Sequence, residues 1–94
     1  MSGGRAAYRW LLSGLVQGVG FRWYAARRAN ELGLKGWVRN LPDGRVEAVA
    51  AGDEPSLARF DQILRVGPRS ARVTDVQKSE VPHEAVEAKT FEIR

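Results

Sequence analysis

Gly14-Leu15-Val16-Gln17-Gly18-Val19-Gly20-Phe21-Arg22 is the point where the chain changes its hydrophobic period. Before it, Tyr8, Trp10 and Leu12 alternate with Arg9 and Ser13, which predicts a strand over residues 6–16 with one apolar face. After it, Phe21, Ala25, Ala29 and Leu32 recur at helical spacing, which predicts a helix over residues 21–33 with Gly33 as its stop. Between the two lies a turn punctuated by Gly18 and Gly20. Arg22 therefore falls in the first turn of a helix, where the positive end of the dipole disfavours a cation. Local rules of this kind tend to break at functional sites. Loop amides, a helix end and a guanidinium together suit an oxyanion such as phosphate. A tight turn with a solvated arginine is the alternative that this stretch leaves open.

Outward from that junction, Lys35 to Leu41 reads as a short strand. Pro42-Asp43-Gly44 is a turn in which proline presets φ, aspartate bonds local backbone and glycine takes positive φ. Arg45 to Ala50 resumes as a strand, making a hairpin. Asp53 is placed to cap a second helix, with Pro55 tolerated in its first turn. Leu57, Phe60, Ile63, Leu64 and Gly67 form that helix's inner stripe, and Gly67-Pro68 ends it. A strand near residues 70–80, a polar proline-marked connection and a short strand at Thr90 to Arg94 close the chain. The order β-α-β-β-α-β, its last β region split, predicts an α+β ferredoxin-like sandwich. Two helices cover one face of an antiparallel sheet in that arrangement, and residues 1–94 read as one domain.

Composition narrows the chemistry. With no cysteine and one histidine, His83 in a loop-like stretch, the chain offers no disulfide, thiolate nucleophile or multi-histidine zinc site. No metal and no cofactor is expected, and the work falls to arginine, asparagine, backbone amides, carboxylates or water. A net charge of +4 suits an anionic ligand, from a small phosphate ester to nucleic acid. Arg5, Arg9, Arg27, Arg28, Arg45, Arg59, Arg65, Arg69 and Arg72 are scattered, mostly on faces expected to be solvated. Asp43 and Glu47 are likewise expected in solvent and carry no catalytic role. Met1 to Arg5 lacks an apolar signal-peptide core and no segment reaches membrane-span length, so a cytoplasmic protein with no membrane partner is expected.

Three familiar motifs fail. A dinucleotide fingerprint would need glycine where Trp23 stands, and a phosphate-binding P-loop would need a Lys-Ser/Thr pair that is absent. An RNA-recognition domain shares the element order and basic charge, but its third strand displays aromatics, and Arg45 to Ala50 has none. Tyr8 and Trp10 are expected in the core, and no nucleic-acid partner is expected.

The chain resembles the acylphosphatases. Gly14 to Arg22 fits that family's G-x-V-Q-G-V-x-F-R signature. Gly36-Trp37-Val38-Arg39-Asn40, three residues, Gly44-Arg45-Val46, five residues and Gly52 fit its second signature. The likeness continues through Gly67-Pro68 and Ala71/Val73/Val76 to Phe91-Glu92-Ile93-Arg94. The resemblance implies the ferredoxin-like fold and hydrolysis of acyl phosphates, the mixed anhydrides of a carboxylic acid and phosphate. It implies that Arg22 binds the phosphate and Asn40 holds the attacking water. Positions Gln17, Gly18, Val19, Gly20 and Phe21 would supply a cradle of backbone N–H groups, with the Gln17 side chain bracing the loop. The expected partner is a small acyl phosphate or phosphate anion, bound by a monomer. The departing carboxylate, with a conjugate acid pKa of roughly 4, needs no general acid, and in the family a substrate phosphate oxygen accepts the water's proton. A related module opens larger carbamoyl-transfer proteins that mature hydrogenases; a chain ending at Arg94 favours the free enzyme. Bisphosphoglycerate, carbamoyl phosphate, acetyl phosphate and phosphorylated aspartate all remain open as substrates.

Overall fold

β1 (Arg5–Leu15) is the spine of the sheet, pairing antiparallel with β3 (Val46–Asp53) on one side and β4 (Arg72–Val81) on the other. β2 (Lys35–Asn40) pairs antiparallel with β3, and β5 (Phe91–Ile93) joins β2, giving the order β4-β1-β3-β2-β5. The computed structural model describes residues 4–94; Met1-Ser2-Gly3, read above as lacking a signal-peptide core, lies outside them. α1 (Phe21–Glu31) packs on β2 and β5, and α2 (Glu54–Val66) packs on β3, β1 and β4.

The helix-facing side of the sheet is set by period 2. Trp10, Leu12, Val38, Val46, Ala48 and Ala50 all point into one core with Phe21, Ala25, Ala29, Leu57, Phe60 and Leu64. Trp10 lies opposite Ala48, so the small residue leaves room for the indole, whose Nε1 donates to Asp61 at 2.9 Å. Phe60 meets Trp10 and Phe91 edge-on, with ring centroids 5.4 and 5.5 Å away. Trp10 is fully buried, as expected, and Tyr8, half-buried, packs against this core.

The sheet is mixed rather than wholly antiparallel. β4 ends at one edge, and residues 82–86 cross the face away from the helices, over β1 and β3. The chain therefore reaches the opposite edge running in the same direction as β2, and β5 pairs parallel: Gly36↔Phe91, Trp37↔Glu92, Val38↔Ile93. Asn30 of α1 fastens this short strand by exchanging two 3.1 Å hydrogen bonds with the Phe91 backbone.

That crossing corrects the reading of Glu47 as a solvated residue. Glu47 is 4% exposed, and its two carboxylate oxygens accept from Arg9 Nε and Arg39 Nε, each at 2.6 Å. A strand pattern alone does not reveal that a distant segment roofs its second face. Burial pushes the Glu47 carboxyl up, but the hydrogen bonds and charges of the two arginines outweigh it and hold the pKa below the usual range. A group with a depressed folded-state pKa stabilises the protein above the unfolded value of about 4.3. That contribution is lost as pH falls through the folded-state value. Glu47→Gln is expected to lower stability by about 1–2 kcal/mol at pH 7, discounted because both arginines are half-exposed. Urea unfolding across pH 7 to 3 should show the gap between the two proteins closing in acid; a gap independent of pH would rule out the ion-pair origin.

Candidate active site

The loop between β1 and α1 begins at an irregularity in the ladder. The β1–β4 register shifts between Ser13 and Gly14, and Gly14 (φ 121°) lies so close to β4 that a Cβ would stand 2.1 Å from the Arg72 carbonyl oxygen. Only glycine permits that approach, and the bulge turns the strand end toward the loop. Val16 is buried. Gly18 and Gly20 follow at φ 74° and 77°, and Gly20 caps α1 from the left-handed region with no side-chain hydrogen bond.

The two helices begin in opposite ways. α2 is capped by Asp53, which accepts from the Ser56 amide at 3.0 Å, and it carries Glu54 in its first turn. α1 has no side-chain cap and no acidic residue in its first turn, and its first helical hydrogen bond runs from Tyr24 N to Gly20 O at 3.0 Å. Among the described residues, the amides from Gln17 to Trp23 donate to no protein acceptor. A row of free N–H groups at the positive end of a helix is a site for an anion.

Arg22, half-buried, adds a full positive charge there. Arg9, Arg28, Arg39, Arg45, Arg65 and Arg94 each pair with a carboxylate. Among the described residues none of the ion pairs involves Arg22.

The second wall is the β2–β3 hairpin. Leu12 pairs with Val46 and Val46 with Asn40, so Asn40 lies at the same end of the sheet as the loop. It continues the Gly36, Val38 row and therefore faces the helices. Its Oδ1 is buried with no hydrogen-bond partner among the described residues, a state that costs about 1–3 kcal/mol unless a donor such as water reaches it. The turn beside it is closed by Leu41 N to Arg45 O at 2.8 Å and Gly44 N to Leu41 O at 3.1 Å. Asp43, exposed as expected, accepts from the Arg45 amide at 3.1 Å and from Arg45 Nε at 2.8 Å, and these bonds lower its carboxyl pKa.

Gln17 joins the two walls. Its Nε2 donates to Leu41 O at 2.8 Å and to Arg45 O at 2.9 Å, tying the glycine loop to the hairpin that carries Asn40. The structure thus brings Gln17, Gly18, Val19, Gly20, Phe21, Arg22 and Asn40 to one end of the sandwich. Their contributions differ. The Phe21 ring is buried, in reach of Gly67 and Tyr24, so only its amide faces the loop. Val19 packs against the core. The Leu41 and Arg45 carbonyls that anchor Gln17 were not legible as site elements, because backbone acceptors leave no trace in residue type. His83 lines a cavity with Arg5 and Lys35 at the opposite end of the sheet.

Comparisons with known proteins agree with this architecture. The Acylphosphatase family model matches residues 8–93. An acylphosphatase of Synechococcus sp. (strain WH7803) is 49% identical over 87 residues, covering 93% of this chain and 85% of that protein. The structure of an acylphosphatase from Coxiella burnetii superposes with a TM-score of 0.88 at 38% identity, covering 96% of this chain and 93% of that one. Full-length HypF, in a phosphate- and nucleotide-bound form, contains the same fold with a TM-score of 0.84 and 26% identity over 97% of this chain and 12% of its own. A match along nearly the whole chain, with half the residues shared and the fold in common, means that this protein belongs to the acylphosphatase family.

Proposed function

We propose that this acylphosphatase splits the carboxyl–phosphate bond of small acyl phosphates at the end of the sandwich where α1 begins. The amides from Gln17 to Phe21 and the Arg22 guanidinium hold the phosphoryl oxygens. Asn40 Oδ1 accepts a hydrogen bond from a water and aims its oxygen at phosphorus. As the new P–O bond forms, the bond to the acyl oxygen breaks and its electron pair leaves on the carboxylate. The water's proton passes to a phosphate oxygen.

This division of labour suits phosphoryl transfer, which asks mainly for positioning and for charge stabilisation on the phosphoryl oxygens. Preorganised amides and a planar guanidinium supply both. A carboxylate leaving group needs no proton from the protein, which fits a site without histidine or cysteine. The observation that carries the reading is the buried, unpartnered Asn40 Oδ1 beside a helix end with no cap of its own.

The same reading has the protein acting as a cytoplasmic monomer without metal, cofactor or nucleic-acid partner; no helix among the described residues is long and apolar enough to cross a membrane. The test is release of inorganic phosphate from acetyl phosphate with a chelator present, which is expected to proceed and to be inhibited competitively by phosphate. Absence of turnover, or dependence on an added divalent cation, would overturn it.

A further inference from the structure

The face of the sheet away from the helices holds a cavity that the proposed chemistry does not use. It measures ≈ 530 Å³ and lies between the central strands and the segment that crosses them. Trp10, Val38, Val46 and Ala48 take the core side of the sheet. Period 2 therefore sends Arg9 of β1, Trp37 and Arg39 of β2, and Glu47 and Val49 of β3 to this face, where all five line the cavity. Val81, Pro82 and Val86 close it from above. A concave space of this size, apolar for the most part and set with a few charged groups, is the usual make-up of a small-molecule site.

The charges on its floor do not cancel. The buried Glu47 carboxylate accepts from Nε of both Arg9 and Arg39, and two guanidiniums on one carboxylate leave one net positive charge. Bonding through Nε alone also leaves the terminal Nη groups over. Among the described residues those of Arg9 and Arg39 donate to no protein acceptor, and both side chains are half-exposed. Because the two guanidiniums are held to the same carboxylate, their free donors lie near one another. Arg94 forms a side wall of different character. Its guanidinium carbon stands 4.3 Å from the centre of the Trp37 ring, and its Nη2 donates to Glu92 at 3.1 Å, so its charge already has a partner. A guanidinium laid on an indole is a flat surface that suits an aromatic ring.

The geometry points to a binding site for a small aromatic monocarboxylate, distinct from the phosphate cradle. Its carboxylate takes the free Nη groups of Arg9 and Arg39, and its ring lies between the Arg94–Trp37 wall and Val86. One negative charge matches the one positive charge left over on the floor, and an arginine fork meets a carboxylate with two parallel hydrogen bonds. Inorganic phosphate brings more charge than the floor lacks and no body to cover the apolar lining. The site is separate from the cradle even though Arg39 and Asn40 are consecutive, because neighbouring residues of a strand face opposite sides of the sheet. It therefore stands or falls independently of the hydrolytic reaction.

The experiment is calorimetric titration with 1-naphthoate and with acetate, together with the NMR shift of the tryptophan indole N–H groups in the wild type. Naphthoate is expected to bind one to one and to move the Trp37 indole signal rather than that of Trp23. Acetate, which lacks the ring, should bind at least about tenfold more weakly. Arg39→Gln should weaken naphthoate binding about tenfold or more, the scale of losing hydrogen bonds to a charged group. Val86→Trp, which fills the apolar side without touching the ion pairs, should weaken it as well. Arg22→Ala at the cradle and Arg59→Gln on α2, each removing one positive charge elsewhere, should leave it unchanged. No binding by the wild type at about 5 mM naphthoate, which would detect even a millimolar Kd, overturns the site. So does binding that is lost in Arg22→Ala, that moves Trp23 instead of Trp37, or that acetate matches.

Discussion

Arg22→Ala is expected to remove acyl phosphate hydrolysis and phosphate binding together, lowering kcat/KM by about 10³-fold or more. The loop amides would remain, but each is a partial charge, and Arg22 carries the full charge in the first turn of α1. Inhibition by inorganic phosphate should weaken in parallel, because the anchor acts on bound phosphate as well as on the transition state. Arg22→Lys should recover little, since a point charge does not reproduce a planar fork that meets two oxygens at once. Stability should move the opposite way. Arg22 has no ion pair among the described residues and stands against the positive end of α1. Its removal should raise stability by about 0.3–1 kcal/mol at low salt. Steady-state kinetics and urea unfolding on the same two variants check both halves. Phosphate inhibition of normal strength in Arg22→Ala would refute the anchoring role.

Asn40→Ala is expected to separate binding from chemistry. If Asn40 positions the water, kcat should drop by about 10²–10³-fold, the scale of losing one polar group aimed at the reacting centre. The phosphate inhibition constant should stay within about threefold of wild type, because the cradle and Arg22 are intact. The fold offers a control for a purely structural role. The Asn40 Oδ1 has no partner to lose among the described residues, so the variant should match wild-type stability to within about 1 kcal/mol or exceed it. A large destabilisation with unchanged kcat would assign Asn40 to the hairpin instead.

The parts of this architecture that could be read from the sequence are those built by neighbours in the chain. The change from strand to helix period at Gly14–Arg22, the Pro42-Asp43-Gly44 turn and the Asp53 cap each depend on residues within one or two turns, and each is present. The family signatures added the pairing of Arg22 with Asn40, and the structure places both at one end. What was not legible depends on distant segments. The parallel pairing of β5 follows from the path of residues 82–90, which no local pattern specifies. Glu47 sits on an alternating strand in the position of an outward residue, and its burial needs both that path and two arginines from neighbouring strands.

The uncapped start of α1 has a thermodynamic consequence. A helix end left short of acceptors gains them when an anion arrives, so an anion bound there as proposed would take over what Asp53 does for α2. Phosphate would then be a folding ligand as well as a product. At a concentration one hundred times its dissociation constant it should raise the unfolding free energy by about 2.7 kcal/mol. For a chain of this length that is a rise in Tm of roughly 10 °C or more. The melting temperature therefore reads the occupancy of the site directly, without any turnover, and the shift should vanish in Arg22→Ala. The phosphate level around the enzyme would govern how firmly its active end is folded.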